Sequence, residues 1–150
     1  MQVIFVDTPG IHTNQERAIN RVMNRSAASV IADVDLVIFV VDRFEWSEAD
    51  EYVAKYLSNN QVPVVVVVNK VDMIEDKEAL LPHLQFLESK VNAVEFIPLS
   101  ALRKTNLDEL EAKIQSHIPE KMHLYPEDQI TDRSERFLAA EIVREKITRQ

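Results

Sequence analysis

The sequence predicts an α/β fold built on a doubly wound, mostly parallel sheet. Three observations point there. Apolar-rich runs of strand length recur at residues 3–6, 35–41, 62–68 and 94–98, as in strands buried on both faces. Segments with apolar residues at helical spacing alternate with them. Polar clusters follow three of the runs directly, at the carboxyl ends of strands, where open α/β sheets bind their ligands.

Taken in order, residues 3–6 form the first predicted strand, ending in Asp7-Thr8-Pro9-Gly10. Thr13 and Glu16 have capping-box spacing, and Ile19, Val22, Met23, Ala27 and Val30 follow on one helical face, so a helix is expected over about 15–31. The strand 35–41 leads to a loop at 42–46. Ser47 with Asp50 opens a second helix, on whose apolar side stand Ala49, Val53, Tyr56 and Leu57. In the strand 62–68, Pro63 falls at the entry, where a missing N–H is tolerated. Leu80, Leu84, Leu87 and Val91 sketch a third helix with Pro82 in its first turn. After the short strand 94–98, Thr105 with Asp108 is expected to cap a helix carrying Leu107, Leu110, Ile114 and Ile118, which Pro119 stops. Residues 119–131 read as a linker, and Asp132 and Glu135 open a last helix bearing Phe137, Ala140, Val143 and Ile147.

Composition narrows the function classes. With 150 residues and 46% apolar content, the chain can bury a domain core. A net charge of −8 disfavours sequence-independent binding to a phosphate backbone. Cysteine is absent, which excludes disulfides and thiolate metal sites. No apolar run approaches the roughly 20 residues of a membrane span, and no secretory leader opens the sequence; a cytoplasmic location is expected. Gly10 is the only glycine, where average usage would give roughly ten. Neither a G-x-x-x-x-G-K-[ST] loop nor a G-x-G-x-x-G turn can be built, so any nucleotide chemistry here lacks the usual phosphate cradle.

The clusters that follow the strands are Asp7-Thr8-Pro9-Gly10, Asn69-Lys70-Val71-Asp72 and Ser100-Ala101-Leu102. In a parallel sheet they share one edge and can form one site. The two carboxylate oxygens of Asp72 suit the paired N–H donors on the Watson–Crick edge of guanine, a pair that adenine lacks. Asn69 can brace the loop or reach the base, Lys70 can lay its apolar stem along a base face, and the Ala101 N–H can meet the guanine carbonyl. Asp7 can hold Mg²⁺ through its water shell, since Mg²⁺ dehydrates reluctantly. Gly10 can offer its N–H to a terminal phosphate. An N-K-x-D quartet alone recurs by chance in roughly one or two chains of this length per hundred, and Ser-Ala alone carries almost nothing. The ordered set, each behind a buried strand, is far more specific. His12 stands two residues past Gly10 as a candidate catalytic base, against the commoner solvated loop histidine. Trp46 is expected to serve packing, and the mixed charges of the last helix read as a solvated face.

These three clusters resemble the third, fourth and fifth motifs of P-loop GTPases, the Asp-Thr-Pro-Gly form resembles the bacterial translation-factor-related branch, and the chain is more similar still to the Era-type family. Residues 17–21, 36–41, 80–87 and 125–137 are similar to that family too, so the resemblance covers the whole chain. The resemblance implies a partial G domain over 1–118, a linker over 119–131 and the first helix of a KH domain over 132–150. It implies GTP and GDP with Mg²⁺ as ligands and, for the intact family, slow GTP hydrolysis and small ribosomal subunit assembly through 16S rRNA. Peripheral membrane contact is a further partner to consider. Neither a P-loop nor a switch I segment precedes the third motif here, and Ile11 stands where signalling GTPases carry a water-positioning glutamine. Little or no turnover is expected from this chain alone. The alternatives are another GTPase of the same branch, or a non-enzymatic doubly wound interaction module with remnant motifs.

The resemblance also has a consequence for the sheet. In the family, the strand that carries the P-loop lies between those matching 3–6 and 35–41. Strands pair at about 4.8 Å, so its absence leaves a gap with two unpaired edges, and the missing helix behind it uncovers apolar sheet face. The isolated chain is therefore expected to associate with itself or to be marginally stable.

Overall fold

The computed structural model describes residues 1–7, 31, 33–126, 129, 131 and 134–148. Its contacts divide the chain into two units, one of residues 3–119 and one of residues 1–2 with 120–150.

The larger unit is built on a parallel sheet of three strands, β1 (Val37–Asp42), β2 (Val64–Asn69) and β3 (Glu95–Pro98), in the order β1-β2-β3. β2 lies in the middle, and its five successive valines are all buried. β-Branched side chains suit a pleated surface packed on both faces. Register pairs Asp42 with Asn69 and Val68 with Pro98, so the polar residues that end β1 and β2 stand side by side.

Helices cover both faces. Helix α1 (Glu48–Ser58) starts at a capping box, with the Asp50 N–H donating to Ser47 Oγ at 3.2 Å and the Ser47 N–H to Asp50 Oδ2 at 2.7 Å. It packs Ala54 and Leu57 onto the face formed by Phe39, Val41, Val64, Val66 and Val68. Helix α2 (Leu80–Lys90) adds Leu87 to the same cluster, with Pro82 in its first turn where no N–H is required. Trp46 meets Phe39 and Phe86 edge-on and donates its indole N–H to Glu51, which also accepts from Lys90. The opposite face holds Val65, Val67, Ile97 and Leu99, covered by Leu107 and Leu110 of helix α3 (Leu107–His117). The α/β, doubly wound arrangement expected from the sequence is present.

Two local expectations are corrected. Residues 3–6 form no strand: they run as irregular chain, and Ile4, Phe5 and Val6 are exposed, Phe5 to 73%. An apolar run becomes a buried strand only when neighbours complete its hydrogen-bond ladder and cover it, and none does so among the described residues. The N-cap position of helix α3 is Asn106, not Thr105. Thr105 exchanges both backbone hydrogen bonds with Ser100, at 3.1 and 3.2 Å. Asn106 takes the left-handed turn that follows (φ 59°), which asparagine tolerates better than most residues, and its amide donates to the Pro98 carbonyl at 2.8 Å. The helix expected over 15–31 falls outside the described residues except for Ile31, which packs against the core.

In the smaller unit the Gln2 side chain takes the N–H groups of Leu124 and Tyr125 on its oxygen and donates to the Tyr125 carbonyl. Helix α4 (Glu135–Thr148) opens with the Ser134 carbonyl accepting from Phe137 and Leu138. Asp132, expected to open it, lies outside the described residues.

Candidate guanine-recognition site

The site lies where β2 and β3 end. Asn69 is the last residue of β2 and Lys70 turns the chain sharply, with φ 63° and ψ 33°. A left-handed lysine costs on the order of 1 kcal/mol or more, and such strain survives only where its surroundings fix it. Here the Asn69 side chain does so. Its Oδ1 accepts from the Lys70 N–H at 2.8 Å and, from the loop after β3, the Ala101 N–H at 3.0 Å. The Val71 N–H donates to the Leu99 carbonyl at 3.2 Å, a second stitch between the same two loops. Val71–Met73 then form a 3-10 turn that presents Asp72 at the surface.

Ser100 holds Asp72 from behind. It is fully buried, donates its hydroxyl to Asp72 Oδ1, and accepts the Arg103 N–H at 3.0 Å. A carboxylate offers about four lone-pair sites, so this bond orients Asp72 and leaves acceptor capacity for a ligand. Asn69, Lys70, Asp72, Ser100 and Ala101 are thus brought together, and Leu102 is exposed on the same loop. The Asn69 oxygen braces the loops, one of the two roles its position allowed. The Ala101 N–H is directed at Asn69, so a base carbonyl would meet it as a shared donor.

Asp7 is exposed at the end of irregular chain instead of at a strand end, so the first cluster does not follow a strand as the sequence suggested. Thr8, Pro9, Gly10 and His12 lie outside the described residues. Among the described residues, no group of three or more acidic or histidine side chains forms a ready metal cage. A lone carboxylate such as Asp7 would hold Mg²⁺ only through its waters, as that ion commonly prefers.

Two residues beside the site were missed in the sequence. Asp42, at the end of β1, receives the Lys70 ammonium on Oδ2 and Arg43 Nε on Oδ1, the latter at 2.9 Å. The hydrogen bond from Lys70, then that from Arg43, holds the Asp42 carboxyl below the usual carboxylate range. Arg43 also donates its backbone N–H to the Asn69 carbonyl at 3.1 Å. An acidic residue directly behind a buried strand was the available signal. Its partner emerges only from the β1–β2 register.

Comparison with known proteins bears on the geometry. Residues 1–70 match the family model for 50S ribosome-binding GTPases. GTPase Era of Marinobacter nauticus is 57% identical over all 150 residues, which cover 49% of its length. Over its whole length the chain is similar to GTPases of the Era family. Era crystallised with MgGDPNP and nucleotides 1506–1542 of 16S ribosomal RNA superposes with a TM-score of 0.80 at 38% identity, over 93% of this chain and 48% of that one. Aquifex aeolicus Era bound to GDP·AlF4⁻ gives 0.79 at 38% identity, with the same coverage. The chain spans about half the length of the curated relatives it matches. Its sheet and helices are therefore those of an Era-type G domain.

Proposed function

We propose that this chain carries the guanine-recognising part of an Era-type GTPase. The observation that supports it most is the joining of two loops far apart in sequence: Asn69 Oδ1 holds the Ala101 N–H, and buried Ser100 holds the Asp72 carboxylate. In this assignment Asp72 accepts the two N–H donors of the guanine edge, the Lys70 stem lies along the base, and Asn69, Ser100, Ala101 and Leu102 form the rim. Asp7 reaches Mg²⁺ through water, Gly10 offers its N–H to the terminal phosphate, and Thr8 and Pro9 belong to the same nucleotide-binding cluster. His12 is the candidate base.

The bound nucleotide would supply the reactive phosphoanhydride, and Mg²⁺ would screen its charge. The chain's own residues select and orient the base. With a single glycine, these 150 residues hold no P-loop to cradle the transferring phosphate, so we assign them recognition without appreciable turnover. The division into a partial G domain (1–118), a linker (119–131) and the first helix of a KH domain (132–150) belongs to the same proposal. So do a role for the whole protein in 16S rRNA binding and small-subunit assembly, and a cytoplasmic setting with peripheral membrane contact. Among the described residues, no helix is long and apolar enough to cross a membrane.

Fluorescent GDP, ADP and XDP titrated against the chain test this. GDP should bind ahead of ADP, and Asp72→Asn should move the preference from GDP toward XDP. Equal binding of all three, or a preference unchanged by Asp72→Asn, would leave a doubly wound interaction module as the better description.

A further inference from the structure

We propose that Asp42 is a positioning residue for Lys70, holding its ammonium on the β1 side so that its stem lies across the strand ends that receive the base. The inference rests on the guanine assignment above and adds to it a residue from a different strand. Asp42 and Asn69 are register partners on adjacent strands, which lie about 4.8 Å apart. The Lys70 ammonium reaches Asp42 Oδ2, so the lysine side chain must cross the gap between β2 and β1. Both ends of that side chain are then fixed: the backbone by the Asn69 oxygen at 2.8 Å, the tip by the Asp42 carboxylate.

The other charges nearby are arranged to keep Asp42 in place. Arg43 Nε binds Asp42 Oδ1 at 2.9 Å, while its Nη2 binds Glu45 Oε1 at 3.1 Å. The Arg43 N–H on the Asn69 carbonyl ties the same loop to β2. Asp42 is thus oriented by one cation and presents its second oxygen to the other. A lysine neutralised in this way serves a base through its methylenes and not through its charge.

The test is a double-mutant cycle on the full chain with Asp42→Asn, Lys70→Met and the pair, read by fluorescent GDP binding. Lys70→Met keeps an unbranched stem and removes the ammonium. Asp42→Asn should weaken binding by about threefold, the scale of a partly exposed ion pair, and should have no further effect in the Lys70→Met background. Additive losses, or no loss in Asp42→Asn, would overturn the proposal. The Lys70 εCH₂ proton signals give a second readout without nucleotide. They should be split in the wild type and averaged in Asp42→Asn, and identical signals in both would also overturn it. Failure of the wild type to bind GDP would overturn the guanine assignment and with it the base-positioning role, while the tether would still be decided by the εCH₂ signals.

Discussion

Asn69 and Ala101 are 32 residues apart in sequence, yet the Ala101 N–H donates to Asn69 Oδ1 at 3.0 Å. The same oxygen accepts from Lys70, so one side-chain atom fixes a left-handed turn and a neighbouring loop together. Removing it strands two backbone donors at once. Asn69→Ala should therefore destabilise the larger unit by about 1–2 kcal/mol, read as a lower urea midpoint. Hydrogen exchange should quicken at Lys70 and Ala101. Asn69→Asp keeps an acceptor oxygen and should restore most of the protection at both amides, which a purely volumetric role for Asn69 would not allow.

Ser100→Ala tests the support behind Asp72. The hydroxyl is wholly buried and bridges the Asp72 carboxylate and the Arg103 N–H. A hydrogen bond to a charged group contributes about 1.5–3 kcal/mol, and its loss also frees Asp72 to rotate. The variant should melt lower, and its discrimination of GDP from ADP should fall more steeply than its overall nucleotide affinity. Equal losses for the two nucleotides would mean that Ser100 supports the loop without aiming Asp72.

His83 gives the larger unit a pH dependence of definite sign. The imidazole stacks on Phe86 and meets Phe44 edge-on, and its Nε2 is buried without a hydrogen-bond partner among the described residues. Burial pushes its pKa below the usual 6.5, outweighing the hydrogen bond with the Arg43 backbone. Between that lowered value and 6.5 the unfolded chain binds the proton and the native one does not, so stability rises with pH across this window. Above 6.5 both states are neutral and His83 adds nothing further. Urea midpoints from pH 7.5 down to 5 should fall more steeply for the wild type than for His83→Phe. Parallel curves for the two proteins would remove His83 from the account.

How far the sequence could be read is clearest from pairs of residues. Val64–Asn69 was legible because five β-branched residues in a row suit a buried strand, and the turn chemistry behind it marked the candidate site. Residues 3–6 carry the same signal and form no strand, because pairing depends on neighbours that a local pattern cannot report. Thr105 resembled a cap, but its backbone was taken by Ser100, and the left-handed turn passed to Asn106. Ser100 itself carried almost no information as half of a Ser-Ala pair. Its weight comes from complete burial against Asp72, a tertiary fact. Asp42 is the same case: its bond to Lys70 exists only because β1 and β2 align Asp42 with Asn69.

The open side of the sheet yields a last expectation. β1 pairs only with β2, so its other edge carries unpaired backbone groups among the described residues. Val40 points to the face that α3 covers over β2 and β3, where Leu107 and Leu110 pack against Val65, Val67, Ile97 and Leu99, yet it is 55% exposed. Ile4, Phe5 and Val6 add a further exposed apolar run of high strand propensity. An open edge beside apolar surface is a template for another chain. The 150-residue chain should therefore self-associate with rising concentration in sedimentation velocity. Val40→Lys places a charge on that surface and should raise the dissociation constant about tenfold, the equivalent of losing one buried valine contact of about 1.4 kcal/mol. A monodisperse, cooperatively melting monomer across the same concentrations would show that the edge is closed in solution by the chain's own residues.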